Sequence, residues 1–387
     1  MAVSEGAVTH PVNTAATPAA MKPELSLYLD AVRFLAALVV FTSHFAQQRL
    51  SGGFLWQTNA YGHQAVAVFF VLSGFVIAYA TDTRERDARS YTISRLSRMY
   101  SVVLPAVALT VVLDSIGSAW RPDVYNAHWG FANDWTFSRL FTALTFTGEI
   151  WSRHVTLGSN AAYWSMGYEV PYYVIFGVAL YTPPRWRAAA VLATLLLAGP
   201  AIVVSLPLWL GGVAAYHFCK RSTLSARTGR WLCFGSAAAW LVYEVLAWRY
   251  GRPLVEGGTY FRRLELLQDA ILGPLFVAHL IGFNAAAQPL GPWLLRHSRA
   301  IRWTAGASFT LYLCHLPIAQ FLLACAPWPA TDNRTRALVF AGTLLAVFVV
   351  AEFTERRKQA WRRGFEFLHA KLMGRNPLRQ HSQQPPP

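Results

Sequence analysis

The chain has 387 residues, of which 54% are hydrophobic and only 14% charged, with 15 tryptophans and a formal net charge of +15. A soluble chain of this length would divide into two or three domains, but apolar windows of bilayer length recur from residue 28 to residue 353, so the chain reads as one all-α polytopic membrane bundle. The positive charge does not point to nucleic acid, because the basic residues sit in short loops between apolar spans, the distribution that sets membrane orientation.

Residues 1–24 hold proline and threonine without a basic cluster or an apolar run, and they read as a disordered cytoplasmic tail and not as a cleaved signal. Ten spans follow, predicted at 28–47, 64–81, 100–118, 163–181, 188–205, 207–218, 231–248, 265–283, 304–325 and 337–353. With the N-terminus inside, twenty-three basic residues fall in internal segments and ten in external ones, which places both termini in the cytoplasm. The weakest points of this topology are the short sixth span and the external loop 249–264, which holds four arginines.

Within the first span, the stretch RFLAALVVFTSH over 33–44 carries an ionisable group at each end. Eleven residues at about 100° each return the side chain of His44 to within roughly 20° of Arg33, about 16 Å further along the axis. The two share a face. Arg33 lies one turn after Asp30, so a local ion pair at the interface competes with a functional reading, and His44 is read either as a satisfied core residue or as part of a site. At the cytoplasmic start of the third span, ISRLSRMY places Arg95 and Arg98 one turn apart, a topology signal by itself but, with Arg33, a cluster suited to bidentate phosphate binding.

Between the third and fourth spans, 118–163 is assigned to the outside, and its FSRLFTALTFTG stretch is too short to cross and is either re-entrant or interfacial. YWSMGYEVPYY then puts Glu169 at a depth matching that of His44, and a histidine with a carboxylate partner suits general-base chemistry. His315, before Pro317, sits at mid-depth, whereas Asp114, Glu244, Asp269, His279 and Glu352 belong to no constellation and are assigned to structure. Cys219, Cys233, Cys314 and Cys325 lack metal-ligand spacing and are assigned to packing, and no metal is expected. After 353, ERRKQAWRRGFEFLHAKL suits a helix on an anionic leaflet, within a basic cytoplasmic tail over 354–387.

Five stretches taken in order, LDAVRFLAALVVFTSHF, FFVLSGFVIAY, ISRLSRMY, YWSMGYEVPYY and SFTLYLCHLP, resemble the acyltransferase-3 group of integral membrane O-acyltransferases over residues 25–353. The resemblance implies transfer of an acyl group, commonly acetyl, from cytoplasmic acyl-CoA to a hydroxyl of a saccharide or other envelope acceptor at a bacterial inner membrane. It implies His44 as the catalytic base, Glu169 as its partner or an alternative base, and Arg33, Arg95 and Arg98 as binders of the donor's phosphates. Ser73 and His315 lie within its motifs and are further candidates. Phe34 stands where the family often has glycine, and the SGNH-type domain that many members carry after the last helix is not expected here. The competing reading from another class is a transporter or proton-coupled carrier with Arg33, His44 and Glu169 along a permeation path. The absence of internal symmetry, and the segregation of arginines from His44 and Glu169, favour transfer between compartments.

Overall fold

The structure is a computed structural model that describes residues 21–126, 131, 134–151, 153–251, 265–286 and 290–372. The expected tail up to residue 20, most of the arginine-rich loop at 252–264 and the chain after 372 lie outside the described residues. Among the described residues there is no β-strand. Ten longer helices follow the predicted spans: α1 (Pro23–Phe45), α2 (Gly62–Thr83), α3 (Ala88–Trp120), α4 (Met166–Tyr181), α5 (Pro184–Ala198), α6 (Pro200–Arg221), α7 (Ala226–Tyr250), α8 (Leu266–Ala286), α9 (Ser308–Cys325) and α10 (Asn333–Phe353). Eight of them are long and apolar enough to cross a bilayer, whereas α4 and α5, with 16 and 15 residues, are shorter than that.

Local chemistry sets the ends of these helices. Pro23 opens α1, where a missing N–H costs nothing, and Glu24 sits in its first turn. Asp87 and Ser90 form a reciprocal capping box at the start of α3. The sixth span differs from its prediction. Pro207 does not end a helix but lies inside α6, which runs unbroken for 22 residues, and the break falls instead at Gly199 with φ +91°. The short span thereby disappears.

Helix α9 is the centre of the bundle, with fourteen of its eighteen residues buried. Pro317 within it lacks the N–H that would bond the carbonyl of Leu313, and Asn160 Nδ2 donates to that oxygen at 2.7 Å. Asn160 belongs to a tight turn, Leu157–Asn160, whose Ser159 donates from its backbone N and its Oγ to the buried Asp114 carboxylate, each at 2.7 Å. Gly158, at φ +52°, brings the turn against that carboxylate, where a Cβ would collide. Asp114 thus has the structural role expected of it, which is to hold a loop inside the bundle.

The stretch before this turn packs back against the bundle. Phe137–Leu144 is a short helix, and Tyr100 and Tyr163 donate to the carbonyls of Leu144 and Ala143 at 2.8 and 2.9 Å. After α10 the chain forms α11 (Lys358–Leu372), which lies along α3 with Phe365 beside Tyr100 at a centroid distance of 6.2 Å.

Helices α2 and α6 touch backbone to backbone through two glycines. A Cβ on Gly74 would strike the carbonyl oxygen of Trp209, and one on Gly212 would strike that of Val71. This approach carries Trp209 to Ser73 in α2, where its Nε1 donates to Ser73 Oγ at 3.2 Å. Gly212→Ala is expected to destabilise the detergent-solubilised protein by about 1–3 kcal/mol, the usual cost of overpacking. Gly235→Ala, where a new Cβ meets nothing within 4 Å, is expected to be neutral or to stabilise by up to about 1 kcal/mol. Thermal melts of the two variants side by side check the contrast.

Candidate functional site

The shared face of Arg33 and His44 opens onto two cavities rather than one. Arg33 lines a cavity of about 550 Å³ together with Asp30, Ser73, Arg98, Glu169 and Tyr173. His44 lines a second, of about 640 Å³, together with Gln47, Asn59, His63, Trp164 and Glu265. Val66 and Tyr312 line both. Tyr312 is held in that shared wall by donating to Ser165 Oγ at 2.7 Å and by an edge contact with Phe69.

In the first cavity Arg33 makes its local ion pair with Asp30 at 3.3 Å, but it also reaches the start of α9. Its Nε donates to Ser308 Oγ at 2.9 Å, and its Nη2 to the carbonyl of Ala305, the last residue of a short helix, at 3.2 Å. Glu355 caps the same α9 terminus, accepting from the backbone N of Phe309 and Thr310 at 3.0 and 3.1 Å. Ion pair and site position are therefore compatible readings of Arg33. Arg98 lies close by, within Coulombic range of Glu169, Glu355 and Asp30, and its guanidinium makes no hydrogen bond to a described residue.

Arg95 is placed elsewhere. It is buried in an ion pair with Glu85 and lies over the rings of Tyr91 and Tyr173, with its guanidinium carbon 5.3 and 5.8 Å from their centroids. Residues three apart on a helix differ by about 60° in direction, which suffices to turn one arginine to the cavity and the other to the α4 side. Tyr181 of α4 donates to the carbonyl of Glu85 at 2.7 Å, so this pair ties the loop before α3 to the end of α4.

Glu169 belongs with the arginines rather than with His44. Its Oε1 accepts from Ser73 Oγ at 2.8 Å and from Tyr173 OH, one turn on. Ser73, Tyr173 and Trp209 form a hydrogen-bonded wall around this carboxylate. Matching depth on two helices did not bring Glu169 to His44, because depth fixes position along the axis and says nothing of the direction in which a side chain leaves it.

The ring partner of His44 is His315. His44 Nδ1 and His315 Nε2 are 2.9 Å apart, and His315 Nδ1 lies 2.8 Å from the carbonyl oxygen of Leu311. That oxygen only accepts, so the proton on His315 resides at Nδ1 and its Nε2 carries a lone pair. His44 must then donate from Nδ1, which leaves Nε2 as its basic nitrogen. A fully buried histidine thus does the orienting work expected of a carboxylate.

Reading the sequence singled out Arg33, His44, Arg98 and Glu169, and each of them lines one of the two cavities. It missed Tyr173, although its i,i+4 spacing from Glu169 was available, and Glu355, which it placed in a tail. It also missed His63, whose Nε2 lies 3.1 and 3.2 Å from the two oxygens of Asp269, because no local pattern links residues 206 positions apart.

An O-acetyl transferase of Shigella phage Sf6 is 26% identical to this chain over 217 residues, covering 52% of this chain and 63% of the relative. Acyltransferase MdmB of Streptomyces mycarofaciens is 27% identical over 192 residues, covering 46% of this chain and 47% of the relative. The chain thus spans between about half and just under two thirds of the length of these curated relatives. No solved structure matches the chain. The family described as an acyltransferase domain matches residues 26–353, nearly all of the helical bundle, and the chain belongs to this acyltransferase-3 family.

Proposed function

We propose that the protein is a multi-pass O-acyltransferase of a bacterial inner membrane, with both termini cytoplasmic. It moves an acyl group, acetyl in the simplest case, from cytoplasmic acyl-CoA to a hydroxyl of an envelope saccharide or lipid-linked sugar. The observation that carries this reading is the pair of cavities meeting at Val66 and Tyr312, with arginines in one and His44 in the other. Two substrates of opposite character, a polyanionic donor and a neutral hydroxyl acceptor, suit two such chambers. The excess of basic residues in the loops at the arginine end supports placing that end in the cytoplasm, and the O-acetyl transferase relative supports a hydroxyl acceptor.

Arg98, with Arg33 beside it, holds donor phosphates, while the pantetheine arm runs along the α1 face to bring the thioester to the wall between the chambers. Glu169 balances the arginines and fixes Ser73 and Tyr173 in the donor wall. The acceptor oxygen attacks the thioester carbon as its proton passes to His44 Nε2, and the carbonyl electron pair moves onto oxygen. Collapse restores the C=O bond and breaks the C–S bond. The sulfur leaves with the bonding pair and takes the proton from the imidazolium, giving the ester and free CoA.

Purified protein in nanodiscs, assayed with radiolabelled acetyl-CoA and a saccharide acceptor, tests the reading directly. Val66→Trp, which fills the shared wall, is expected to abolish transfer while donor binding persists; undiminished transfer would show that the chambers do not communicate there. Arg98→Ala is expected to raise donor KM by about 10-fold to 150-fold, the equivalent of a charge-assisted contact of about 1.5–3 kcal/mol. Arg95→Ala should instead lower thermal stability and move donor KM little, and equal KM effects would return Arg95 to the binding site. His44→Ala is expected to lower kcat by about 10² to 10⁴ at unchanged donor affinity. His315→Leu should act on the same step, and the double variant should be hardly worse than His44→Ala, whereas multiplicative losses would separate the two rings.

A further inference from the structure

The second cavity holds a second histidine that the reaction as described does not use. His63, in the first turn of α2, lies beside the Asp269 carboxylate through Nε2 at 3.1 and 3.2 Å, and its ring is parallel to that of Trp164 within 7°. A carboxylate accepts only, so Nε2 donates to it, and Nδ1 is the nitrogen left to meet substrate. Among the described residues Nδ1 has no hydrogen-bond partner. Glu265, one turn before Asp269, lines the same cavity and adds a second negative charge within Coulombic range of the ring.

The two histidines are brought to one chamber by construction. Gly62 packs so closely on Ser43 that a Cβ would collide with its Oγ, and His44 and His63 are the residues that follow this contact on α1 and α2. Both line the chamber that ends at Val66 and Tyr312. His44, hydrogen-bonded to another imidazole, is built to accept a proton, whereas His63, bonded to Asp269 with Glu265 in the same chamber, is built to retain one. By contrast His154, paired with Glu149 at 2.7 Å, sits in the segment between α3 and α4 and lines neither of these two cavities.

We infer that His63, held by Asp269, is a further catalytic residue of the transfer: as an imidazolium it donates from Nδ1 to the oxyanion that forms when the acceptor hydroxyl attacks the thioester. The inference rests on the acyltransferase reading above. During attack the carbonyl electron pair moves onto oxygen, and Nδ1–H stabilises the negative charge without transferring its proton. Collapse returns the pair to the C=O bond and expels the thiolate, which is protonated from His44 as before, so His63 ends the cycle in the state in which it began it.

An oxyanion donor serves attack by water as well as attack by acceptor, and this separates it from a residue that merely binds the acceptor. In the nanodisc assay, His63→Ala is expected to lower kcat for transfer by about 10² to 10³, the usual loss for one such donor. Acetyl-CoA hydrolysis without acceptor should fall by a similar factor, while donor and acceptor KM stay within about threefold. His63→Asn, whose amide places an N–H near the position of Nδ1, should recover a substantial part of kcat, and His63→Phe none. Asp269→Asn keeps the ring but removes its charge partner, and should lower kcat alone. Unchanged hydrolysis, or a rise in acceptor KM at constant kcat, would overturn the oxyanion role. Should His63→Ala fail to fold, the contrast between His63→Asn and Asp269→Asn decides the matter by the same two rates. Wild-type protein that neither transfers nor hydrolyses acetyl-CoA would overturn the acyltransferase reading itself, whereas an active wild type with indifferent His63 variants overturns this inference alone.

Discussion

A histidine enclosed in an apolar bundle needs a partner for each ring nitrogen, and His315 meets that demand with the Leu311 carbonyl on one side and His44 on the other. Those two bonds fix more than one ring. They set the tautomer of His315 and through it that of His44, so the direction of the basic lone pair at His44 follows from a backbone carbonyl one turn away on α9. The centre of the bundle must therefore be rigid, and the surrounding contacts make it so. Arg33 and Glu355 tie down the start of α9, Asn160 occupies the carbonyl freed by Pro317, and Arg49 bonds Gln320 a turn and a half beyond His315.

Much of this was legible in the sequence, though unevenly. Every predicted span overlaps a helix, because a run of apolar residues of bilayer length has few other solutions. The coincidence of Arg33 and His44 on one face was also readable, since a single helix fixes the angle between its own residues. Relations between helices were not. Glu169 was matched to His44 by depth, and the structure sends it to Ser73 and Tyr173; Arg95 and Arg98 looked equivalent, and one is buried against Glu85. The boundary at Gly199 was missed for a different reason. The predicted spans 188–205 and 207–218 divide just before Pro207, but the helix runs through it, as a membrane helix can where its surroundings satisfy the freed carbonyl.

Asp269 illustrates the same limit from the other side. One carboxylate in one helix carries no sign of what it will meet, and its partner His63 lies 206 residues earlier, beyond a turn of 3₁₀ helix at Trp56–Tyr61 that sets how α2 begins. Gly62 permits the close approach to Ser43 that brings the start of α2 beside the end of α1, and only then do His44 and His63 share a chamber. The local rule needed was for a helix–helix contact, not for a motif.

The distribution of charge between the two chambers also bears on the choice between an enzyme and a carrier. A carrier exposes one binding site to each side in turn, so the groups that hold its cargo must serve both openings. Here the guanidinium groups of Arg33 and Arg98 line one chamber and the imidazoles of His44 and His63 line the other, and the wall they share is made of Val66 and Tyr312, which carry no formal charge. Among the described residues, cargo held by the arginines would find no second guanidinium beyond that wall, only the imidazoles of His44 and His63, the latter already set against the Asp269 carboxylate. Two unlike half-sites joined at a wall are what a reaction between two unlike substrates needs, since each is held by its own chemistry and only the reacting atoms have to meet.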